Sequence, residues 1–325
     1  MLRWGILGAA RINRRLVPAF KASRRGRLEA IASRDPARAT AHAHEHGIPR
    51  AVQGYERLLD DPSIDAVYIP LPNSEHVRWT LAAIDAGKHV LCEKPIALDA
   101  ADVDRIAAAA ARANVVVEEG FMYRHEPMTA RVIGLLADGA VGQIQTVTSG
   151  FTFNVESETN IRLDPALGGG ALWDVGCYPV TYAQLIAGAE PVTVSGTARW
   201  HASGVDEEFE GRLRFDNGTT ARIHAGFRAA YRIWLEVAGT GGVLTVPNPF
   251  RPSPMEVLEL TRNGNVQRIE VAGSPEIFVR EVADFEASVL DGVPTVVSLA
   301  ESRRTVATLT ALYAAARETA KMYTQ

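Results

Sequence analysis

Short, mostly apolar runs alternate with stretches of helical periodicity over the first 119 residues of the chain. Each run is too short to be a helix by itself, and such runs are typical of strands that are buried on both faces. Strands that alternate with helices predict a doubly wound parallel sheet. The five predicted strands are 2–7, 28–33, 66–69, 89–92 and 115–118.

Residues that begin and end helices support this arrangement. Asp35 can cap a helix that ends at Gly47, because its side chain can accept hydrogen bonds from the first backbone N–H groups. Ser74 and Gly87 are expected to bracket a second helix, and Asp99 is expected to begin a third. The first part of the chain therefore predicts one α/β domain over residues 1–120.

After residue 120 the pattern changes to strands in which apolar and polar positions alternate. The turn pairs Asn217-Gly218 and Asn263-Gly264 are typical of tight β-hairpins, and helical stretches at 277–290 and 299–321 close the chain. This order predicts an α+β domain over 121–325 with a large, mostly antiparallel open sheet. Its strands include 143–153, 209–215, 219–227 and 233–238. An open sheet face is commonly covered in a symmetric assembly, so a homodimer or tetramer is expected.

Composition excludes several classes of partner. A net charge of -4 and a pI near 6.1 disfavour nucleic acid and anionic membranes, because both usually require a basic face. No apolar run approaches the roughly 18 residues of a membrane span. The chain enters its first strand at Leu2 without the pattern of a secretion signal, which predicts a cytoplasmic protein. Two cysteines are too few for a disulfide framework.

The turn after the first predicted strand could hold a nucleotide. Gly8-Ala9-Ala10-Arg11-Ile12-Asn13 leads from a strand into a helix, where backbone N–H groups and a helix N-terminus can bind a pyrophosphate. Compared with the G-x-G-x-x-G pattern, Ala10 replaces the second glycine and Asn13 replaces the third. The small Ala10 still permits a close backbone approach, but a plain strand-to-helix turn is equally compatible with these residues.

The end of the second predicted strand indicates which dinucleotide would be bound. An acidic residue there would accept hydrogen bonds from the free 2′-hydroxyl of NAD, whereas this chain has Ser33 and Arg34. A hydroxyl and a guanidinium can bind the 2′-phosphate of NADP, which a carboxylate would repel. The sequence therefore predicts NADP, with NAD as the alternative because Asp35 follows directly.

Two further motifs carry groups that could move protons. Lys94 lies in Glu93-Lys94-Pro95, where an apolar run ends, although such a tripeptide is more often an ordinary solvated turn. Gly168-Gly169-Gly170 precedes Asp174 and Tyr178, which are four residues apart and would share one helical face. Both residues also have ordinary structural explanations. Asp174 could be a carboxylate that favours the start of a helix, and Tyr178 could be a half-buried tyrosine.

Three neighbouring histidines, His42, His44 and His46, could suggest a metal site. His42 and His46 could chelate an ion from one helical face. The predicted helix around them is polar and charged, however, and histidines near a helix C-terminus suit its dipole. These histidines are expected to face solvent, and no metal site is predicted.

The chain resembles the Gfo/Idh/MocA oxidoreductases over essentially its whole length. Many members have histidine where this chain has Tyr178. The resemblance therefore points to the branch that includes dihydrodiol dehydrogenases, aldose 1-dehydrogenases and glucose-fructose oxidoreductase. Four blocks carry it in order, at residues 4–12, 69–76, 87–95 and 160–178.

This resemblance implies an N-terminal Rossmann domain and roles for individual residues. Lys94 and Tyr178 would flank the reacting carbon, with Tyr178 taking the hydroxyl proton and Lys94 supporting the developing oxyanion. Asp174 would position hydroxyls beside them, and Pro95 would follow a cis peptide bond. The implied cofactor-binding residues are Gly8, Ala9, Ala10, Arg11, Ile12, Ser33, Arg34, Pro70, Leu71, Asn73, His76, Glu93 and Lys94. The implied substrate-binding residues are Asn160, Arg162, Tyr123, Phe153 and Trp173.

The implied activity is hydride transfer between NADP and a CH–OH group of a sugar or cyclic polyol, most simply oxidation of an aldopyranose at C1 to a lactone. A trans-1,2-dihydrodiol dehydrogenase or a keto-sugar reductase is the nearest alternative. A non-catalytic dinucleotide-binding regulator and an NAD-dependent glycosidase of the same fold are further alternatives. Intact Lys94 and Tyr178 argue against the regulator.

Overall fold

The computed structural model describes residues 1–323 and divides the chain into two compact units. The first comprises Met1–His125 and Glu276–Arg303, and the second comprises Glu126–Pro275 and the chain from Arg304 onward. Each unit has its own sheet, and the predicted α/β fold class is confirmed. In the part of the chain that the structure describes, no helix is long and apolar enough to cross a membrane.

A six-stranded parallel sheet is the framework of the first unit. The strands are β1 (Leu2–Leu7), β2 (Gly26–Ser33), β3 (Arg50–Gln53), β4 (Ala66–Ile69), β5 (His89–Glu93) and β6 (Val117–Gly120). Their order across the sheet is β3-β2-β1-β4-β5-β6, so the direction of winding reverses between β1 and β4. In sheets of this kind the reversal point is where ligands bind, at the carboxyl ends of the strands.

The sequence analysis missed one strand of this sheet. β3 lies at the edge, and three of its four residues are exposed. An exposed edge strand lacks the apolar run that marks a strand buried on both faces, so its pattern gave no signal. β6 also begins at Val117 rather than at the predicted residue 115.

The helices begin and end largely where capping residues predict. They are α1 (Asn13–Ala22), α2 (Pro36–His46), α3 (Tyr55–Leu59), α4 (Asn73–Asp85), α5 (Ala100–Ala113), α6 (Pro127–Ala137), α7 (Cys177–Ala187), α8 (Phe278–Asp291) and α9 (Leu299–Tyr323). The Asp35 carboxylate accepts the Ala37 N–H (2.9 Å), and Gly47 ends α2 in the left-handed conformation. Asp99 caps α5 in the same way. Ser74 was the wrong cap, because α4 begins at Asn73 directly after a proline.

The segment 276–303 joins the first unit through the core around Trp4. Trp4 in β1 is fully buried, and its indole N–H donates to Glu286 Oε1 in α8 (2.9 Å). Its ring also contacts Phe285 of α8 (5.1 Å between centroids) and Phe20 of α1 (4.8 Å). The compact units therefore depart from the simple division at residue 120, because α8 completes a core that the first strand begins.

An eight-stranded sheet is the framework of the second unit. Its strands are β7 (Ile144–Asn154), β8 (Thr193–Trp200), β9 (Asp206–Arg214), β10 (Thr220–Gly226), β11 (Arg228–Gly239), β12 (Gly242–Val246), β13 (Met255–Arg262) and β14 (Asn265–Ala272). The order is β14-β13-β12-β11-β7-β10-β9-β8. Only β7 and β10 pair in parallel among the described strands of this sheet.

The predicted hairpin turns of this sheet are confirmed. Gly218 lies between β9 and β10 with φ 86°, and Asn263 and Gly264 connect β13 to β14 with φ 49° and 77°. Positive φ values at such positions are what tight hairpins require. α7 is largely buried and packs against β7 and β10. The symmetric dimer expected from the open sheet stays a prediction.

Candidate active site

Gly8 directly follows β1 and has a backbone conformation that favours glycine. Its φ is 132°, and a Cβ atom at this position would come within 2.9 Å of Leu71 Cδ2, in the connection after β4. Asn13, where the third glycine of the pattern would stand, is fully buried and donates a side-chain hydrogen bond to the Gly8 carbonyl (2.9 Å). The turn leaves room at the reversal point of the sheet, directly before α1, and these residues fit a dinucleotide phosphate.

The connection from β2 to α2 offers cations where an adenosine 2′-phosphate would be recognised. Ser33 is buried and its Oγ accepts the Asp35 N–H (3.2 Å), while Arg34 is exposed. The guanidinium of Arg38, in the first turn of α2, donates to the Ala9 carbonyl of the nucleotide turn (3.0 Å). Sequence reasoning missed Arg38, because only the fold shows that the first turn of α2 lies beside the turn after β1.

His76 ties together the connections that follow β4 and β5. Its side chain is buried, with Nδ1 2.7 Å from the Pro95 carbonyl oxygen and Nε2 2.7 Å from the Leu71 carbonyl oxygen. Burial lowers the pKa of His76, and a neutral imidazole has one N–H to donate to these two acceptors. Both ring nitrogens face backbone carbonyl groups. We therefore assign His76 a structural role, in which it holds the two loops together, and not the direct contact with the cofactor that the sequence suggested.

Lys94 directly follows β5 at the carboxyl edge of the sheet. β1, β4 and β5 are neighbours, so the residues that follow them, among them Gly8, Pro70 and Lys94, lie along one edge. The Lys94–Pro95 peptide bond is cis, as the resemblance implies. The Glu93 carboxylate accepts a hydrogen bond from the Tyr68 hydroxyl (2.6 Å). The first unit therefore places a partly exposed ammonium group at the edge where dinucleotides bind.

A glycine turn in the second unit leads into the helix of the candidate acid and phenol. Gly168 and Gly170 have φ values of 74° and 121°, and a Cβ atom at Gly170 would collide with the Asp206 carboxylate. Asp206, in β9, accepts the Leu172 N–H at the start of this helix (2.7 Å). Burial raises the pKa of Asp206 to about 6. The sequence analysis missed Asp206, because no local pattern connects it to a helix 34 residues away.

The helix is not a regular α-helix where Asp174 lies. Residues Leu172–Gly176 form a π-helical turn, and α7 follows it. Pro179 in α7 has no N–H to donate to the carbonyl four residues earlier, so regular α-helical bonding is interrupted here. Asp174 and Tyr178 therefore lie on turns that are wound differently, and their sharing of one helical face stays a prediction.

Asp174 forms an ion pair with a predicted substrate-binding residue. Arg162 Nε lies 2.6 Å from Asp174 Oδ2, and the carboxylate charge is the largest cause that raises the pKa of Arg162. The Arg162 guanidinium also lies 5.5 Å from the centre of the Phe153 ring. Asn160 caps the short helical turn that contains Arg162, because its Oδ1 accepts the Arg162 N–H (3.1 Å). The structure thus brings Asn160, Phe153, Arg162 and Asp174 together, with the Asn160 oxygen committed to the backbone.

Tyr178 lies in an aromatic wall of the second unit. Its ring is 5.6 Å from Phe151 and 5.3 Å from Phe250, measured between centroids. The guanidinium of Arg251 lies over Phe151 at 5.5 Å. Phe250 was not among the predicted site residues, because it comes from a distant loop after β12. Phe250 is fully buried and Phe151 nearly so, so these rings pack around Tyr178 and hold its side chain in place.

Two predicted substrate-binding aromatics are more deeply placed than expected. Tyr123 is fully buried and its ring contacts Phe121 (6.1 Å) within the first unit. It offers no exposed surface to a substrate, so that prediction is not supported by its environment. Trp173, in the π-helical turn, retains 8% exposure.

The histidine-rich end of α2 is more closely packed than expected. The possible ligand atoms of His42, Glu45 and His46 lie within 4.8 Å of one another, and the rings of the two histidines are in contact (5.5 Å). His46 Nε2 is buried, so the expectation that all these histidines face solvent is wrong for that atom. The Arg14 guanidinium donates to Glu45 (3.0 Å), and a cation so close opposes metal binding.

Comparison with known proteins agrees with this arrangement. Residues 2–121 match the model of an oxidoreductase family with an NAD-binding Rossmann fold, and residues 129–245 match the GFO/IDH/MocA C-terminal domain. A D-xylose 1-dehydrogenase (NADP(+)) of Haloferax volcanii is 39% identical over 97% of both chains. A dTDP-3,4-didehydro-2,6-dideoxy-alpha-D-glucose 3-reductase of Saccharopolyspora spinosa is 37% identical, covering 85% of this chain and 84% of its own. The crystal structure of KijD10, a 3-ketoreductase from Actinomadura kijaniata in complex with NADP and TDP-benzene, superimposes with a TM-score of 0.92, 31% identity and 97% coverage of both chains.

Proposed function

Because the chain belongs to the GFO/IDH/MocA family of oxidoreductases, we propose that it oxidises a sugar at a CH–OH group and prefers NADP as hydride acceptor. The chain is a sugar-related, NAD(P)-dependent oxidoreductase. We propose further that its substrate is an aldopyranose, whose C1 hydroxyl it oxidises to the lactone. Its support is the similarity to a D-xylose 1-dehydrogenase over nearly the whole chain.

The position of Lys94 is the observation that carries this proposal. It follows β5 at the carboxyl edge of the sheet, on the same edge as the Gly8 turn. The winding reverses between β1 and β4, and β5 is the next strand, so Lys94 lies close to the place where such sheets bind ligands. An ammonium at that edge can stabilise negative charge that develops on a substrate oxygen.

The protein's own part in the reaction is to hold the substrate and move its hydroxyl proton. Bound NADP supplies the hydride acceptor. Tyr178 acts in its deprotonated form: as the C–H electron pair leaves the substrate carbon for the hydride acceptor, the phenolate oxygen takes the hydroxyl proton, and the carbon–oxygen bond becomes a carbonyl. Lys94 stabilises the oxyanion in that step, and the Arg162–Asp174 pair holds neighbouring hydroxyls.

The preference for NADP is supported by the connection from β2 to α2. Arg34 and Arg38 are both exposed there, and Ser33 adds a hydroxyl. Asp35, the one carboxylate in this connection, is used to cap α2. A 2′-phosphate would meet two guanidinium groups, whereas the 2′-hydroxyl of NAD has no acidic partner at the end of β2.

Reduction of a keto sugar is the second candidate. The chain superimposes on a 3-ketoreductase with a TM-score of 0.92, and it is 37% identical to a 3-reductase of a dTDP-linked keto sugar. The same groups would serve in reverse, with Tyr178 giving its proton to the carbonyl oxygen.

Replacement of the proposed acid–base residues tests this function. Tyr178→Phe removes the hydroxyl that moves the proton, and we expect kcat to fall by about 10²–10⁴. Lys94→Met is expected to lower kcat by a comparable factor, because the positive charge that stabilises the substrate oxyanion is lost. Initial rates followed at 340 nm measure both effects.

Matched variants away from the site control for general damage. Tyr313→Phe and Lys21→Met make the same changes elsewhere and are expected to keep wild-type rates. If Tyr178→Phe or Lys94→Met bound NADP and turned over at a near wild-type rate, the assigned roles would be wrong.

A further inference from the structure

The first unit contains buried carboxyl groups on β6 and α8. Glu118 and Glu119 in β6 are fully buried, and Glu281 in α8 is 1% exposed. None of them has a role in the proton or hydride transfer proposed for Tyr178 and Lys94. Buried carboxyl groups are costly unless they serve a structural or electrostatic purpose.

Glu119 differs from its neighbours because it reaches the connection after β5. β5 and β6 are adjacent, and Cys92 pairs with Glu119 in the register. Glu119 Oε1 accepts the N–H of Ile96 (2.9 Å), two residues after Lys94. The carboxylate also interacts electrostatically with the Lys94 ammonium. One buried side chain therefore contacts the backbone beside Lys94 and acts on its charge.

We propose that Glu119 is a positioning residue for Lys94, which fixes the path of residues 94–96 and stabilises the Lys94 ammonium when the carboxylate is ionised. This inference rests on the proposed function, in which that ammonium stabilises a substrate oxyanion. Glu119 touches neither substrate nor cofactor in this account. Its effect on turnover passes through Lys94.

The charge of Glu119 changes close to neutral pH. Burial raises the pKa of Glu119 to about 7, and the Glu93 carboxylate adds to the rise. The Ser302 hydroxyl, the Ile96 N–H and the Lys94 charge oppose it. Glu119 is therefore mostly neutral at pH 5 and ionised at pH 9, and only the ionised form supports the Lys94 ammonium. We expect kcat to rise with pH through an inflection near pH 7.

The variant Glu119→Gln separates the two effects of this side chain. Its amide oxygen can still accept the Ile96 N–H, but it carries no charge at any pH. We expect the variant to fold and bind NADP, to lose the inflection near pH 7, and to have a kcat reduced about tenfold at pH 9, equivalent to one pKa unit of lost charge stabilisation. Glu119→Ala, which also loses the backbone contact, is expected to be slower than Glu119→Gln at every pH.

Acylation of Lys94 provides a readout that does not depend on turnover. An amine-reactive acylating reagent attacks only the neutral amine, so its rate at pH 8, followed by peptide mass spectrometry, reports how strongly the ammonium is held. We expect Lys94 to react several-fold faster in Glu119→Gln than in the wild type, since each pKa unit corresponds to about tenfold. Lys21 is the internal reference and should react equally in both.

Glu118→Gln is the matched control, because Glu118 is the neighbouring buried glutamate and accepts the Val297 N–H (2.8 Å). It should leave both the Lys94 acylation rate and the inflection near pH 7 in place. Equal acylation of Lys94 in the wild type and Glu119→Gln would overturn the inference whether or not any sugar is oxidised. Absence of turnover in the wild type, with faster acylation in Glu119→Gln, would instead refute the proposed function and leave the electrostatic role of Glu119 supported.

Discussion

Asp206 shows how much of the candidate site depends on a single buried residue. Its carboxylate accepts the Leu172 N–H and fills the space beside Gly170, so it fixes the start of the helix that carries Tyr178. Burial raises its pKa to about 6. An isolated aspartate at the start of a strand has no sequence signal for this role, because the contact exists only after the chain has folded.

The pH dependence of stability tests this assignment of Asp206. A carboxyl whose pKa is raised in the folded state destabilises that state as pH rises from its unfolded pKa, about 3.9, towards about 6. Asp206→Asn keeps an oxygen to accept the Leu172 N–H but cannot ionise. We expect the free energy of unfolding of Asp206→Asn, relative to the wild type, to rise by up to about 3 kcal/mol between pH 4 and pH 7.

Denaturant unfolding at several pH values measures this difference. The exposed Asp138→Asn, at the end of α6, is the matched control and should show a difference that is nearly independent of pH. A constant difference between Asp206→Asn and the wild type across the range would contradict the raised pKa.

Among the elements, we expect the connection from β2 to α2, with the first turn of α2, to determine which dinucleotide the protein prefers. Arg38→Ala removes a guanidinium from the proposed 2′-phosphate site, and a charge-assisted hydrogen bond contributes about 1.5–3 kcal/mol. We expect KM for NADP to rise at least about tenfold and KM for NAD to stay within about twofold. Steady-state kinetics with both cofactors measure the change.

Arg24→Ala removes another exposed arginine, outside this connection, and serves as the control. A parallel rise of KM for NADP and NAD in Arg38→Ala would show that Arg38 supports the turn at Ala9 rather than the phosphate.

Most elements of the fold could be predicted from the sequence, and the exceptions have physical causes. Apolar runs located five of the six parallel strands, and Asp35 and Asp99 marked two helix starts. β3 could not be predicted, because an exposed edge strand has no apolar run. The π-helical turn before Pro179 could not be predicted either. A proline shows that one backbone hydrogen bond is missing, but it does not show which conformation the backbone adopts instead.

Some residues of the candidate site could be placed from the sequence, and others could not. Gly8, Ser33 and Lys94 lie at the end of a predicted strand or within two residues of it, so the sequence could place them at the carboxyl edge. Arg38 and Asp206 act through contacts between distant parts of the chain, and no local pattern could reveal them.

At the scale of the whole molecule, the first unit is completed by the segment 276–303. A fragment of residues 1–125 would expose Trp4 and Phe20, whose partners Phe285 and Glu286 lie in that segment. We expect this fragment to lack a cooperative thermal transition in circular dichroism. The same fragment joined to residues 276–303 by a flexible linker is expected to recover one, because the core around Trp4 is restored.

Cooperative unfolding of residues 1–125 alone would show that α8 is not needed for this core. A linked protein that fails to unfold cooperatively, like the fragment, would show that the second unit contributes to the stability of the first.

We propose that the chain is an NADP-preferring sugar dehydrogenase. This function is tested by initial rates at 340 nm, measured with NADP and with NAD across aldoses, 1,2-diols and, in the reverse direction, keto sugars. We expect NADPH to form fastest with an aldopyranose, with kcat/KM for NADP above that for NAD. Equal or greater kcat/KM with NAD would contradict the role given to Ser33, Arg34 and Arg38, and no turnover of any sugar with either cofactor would contradict the claim itself.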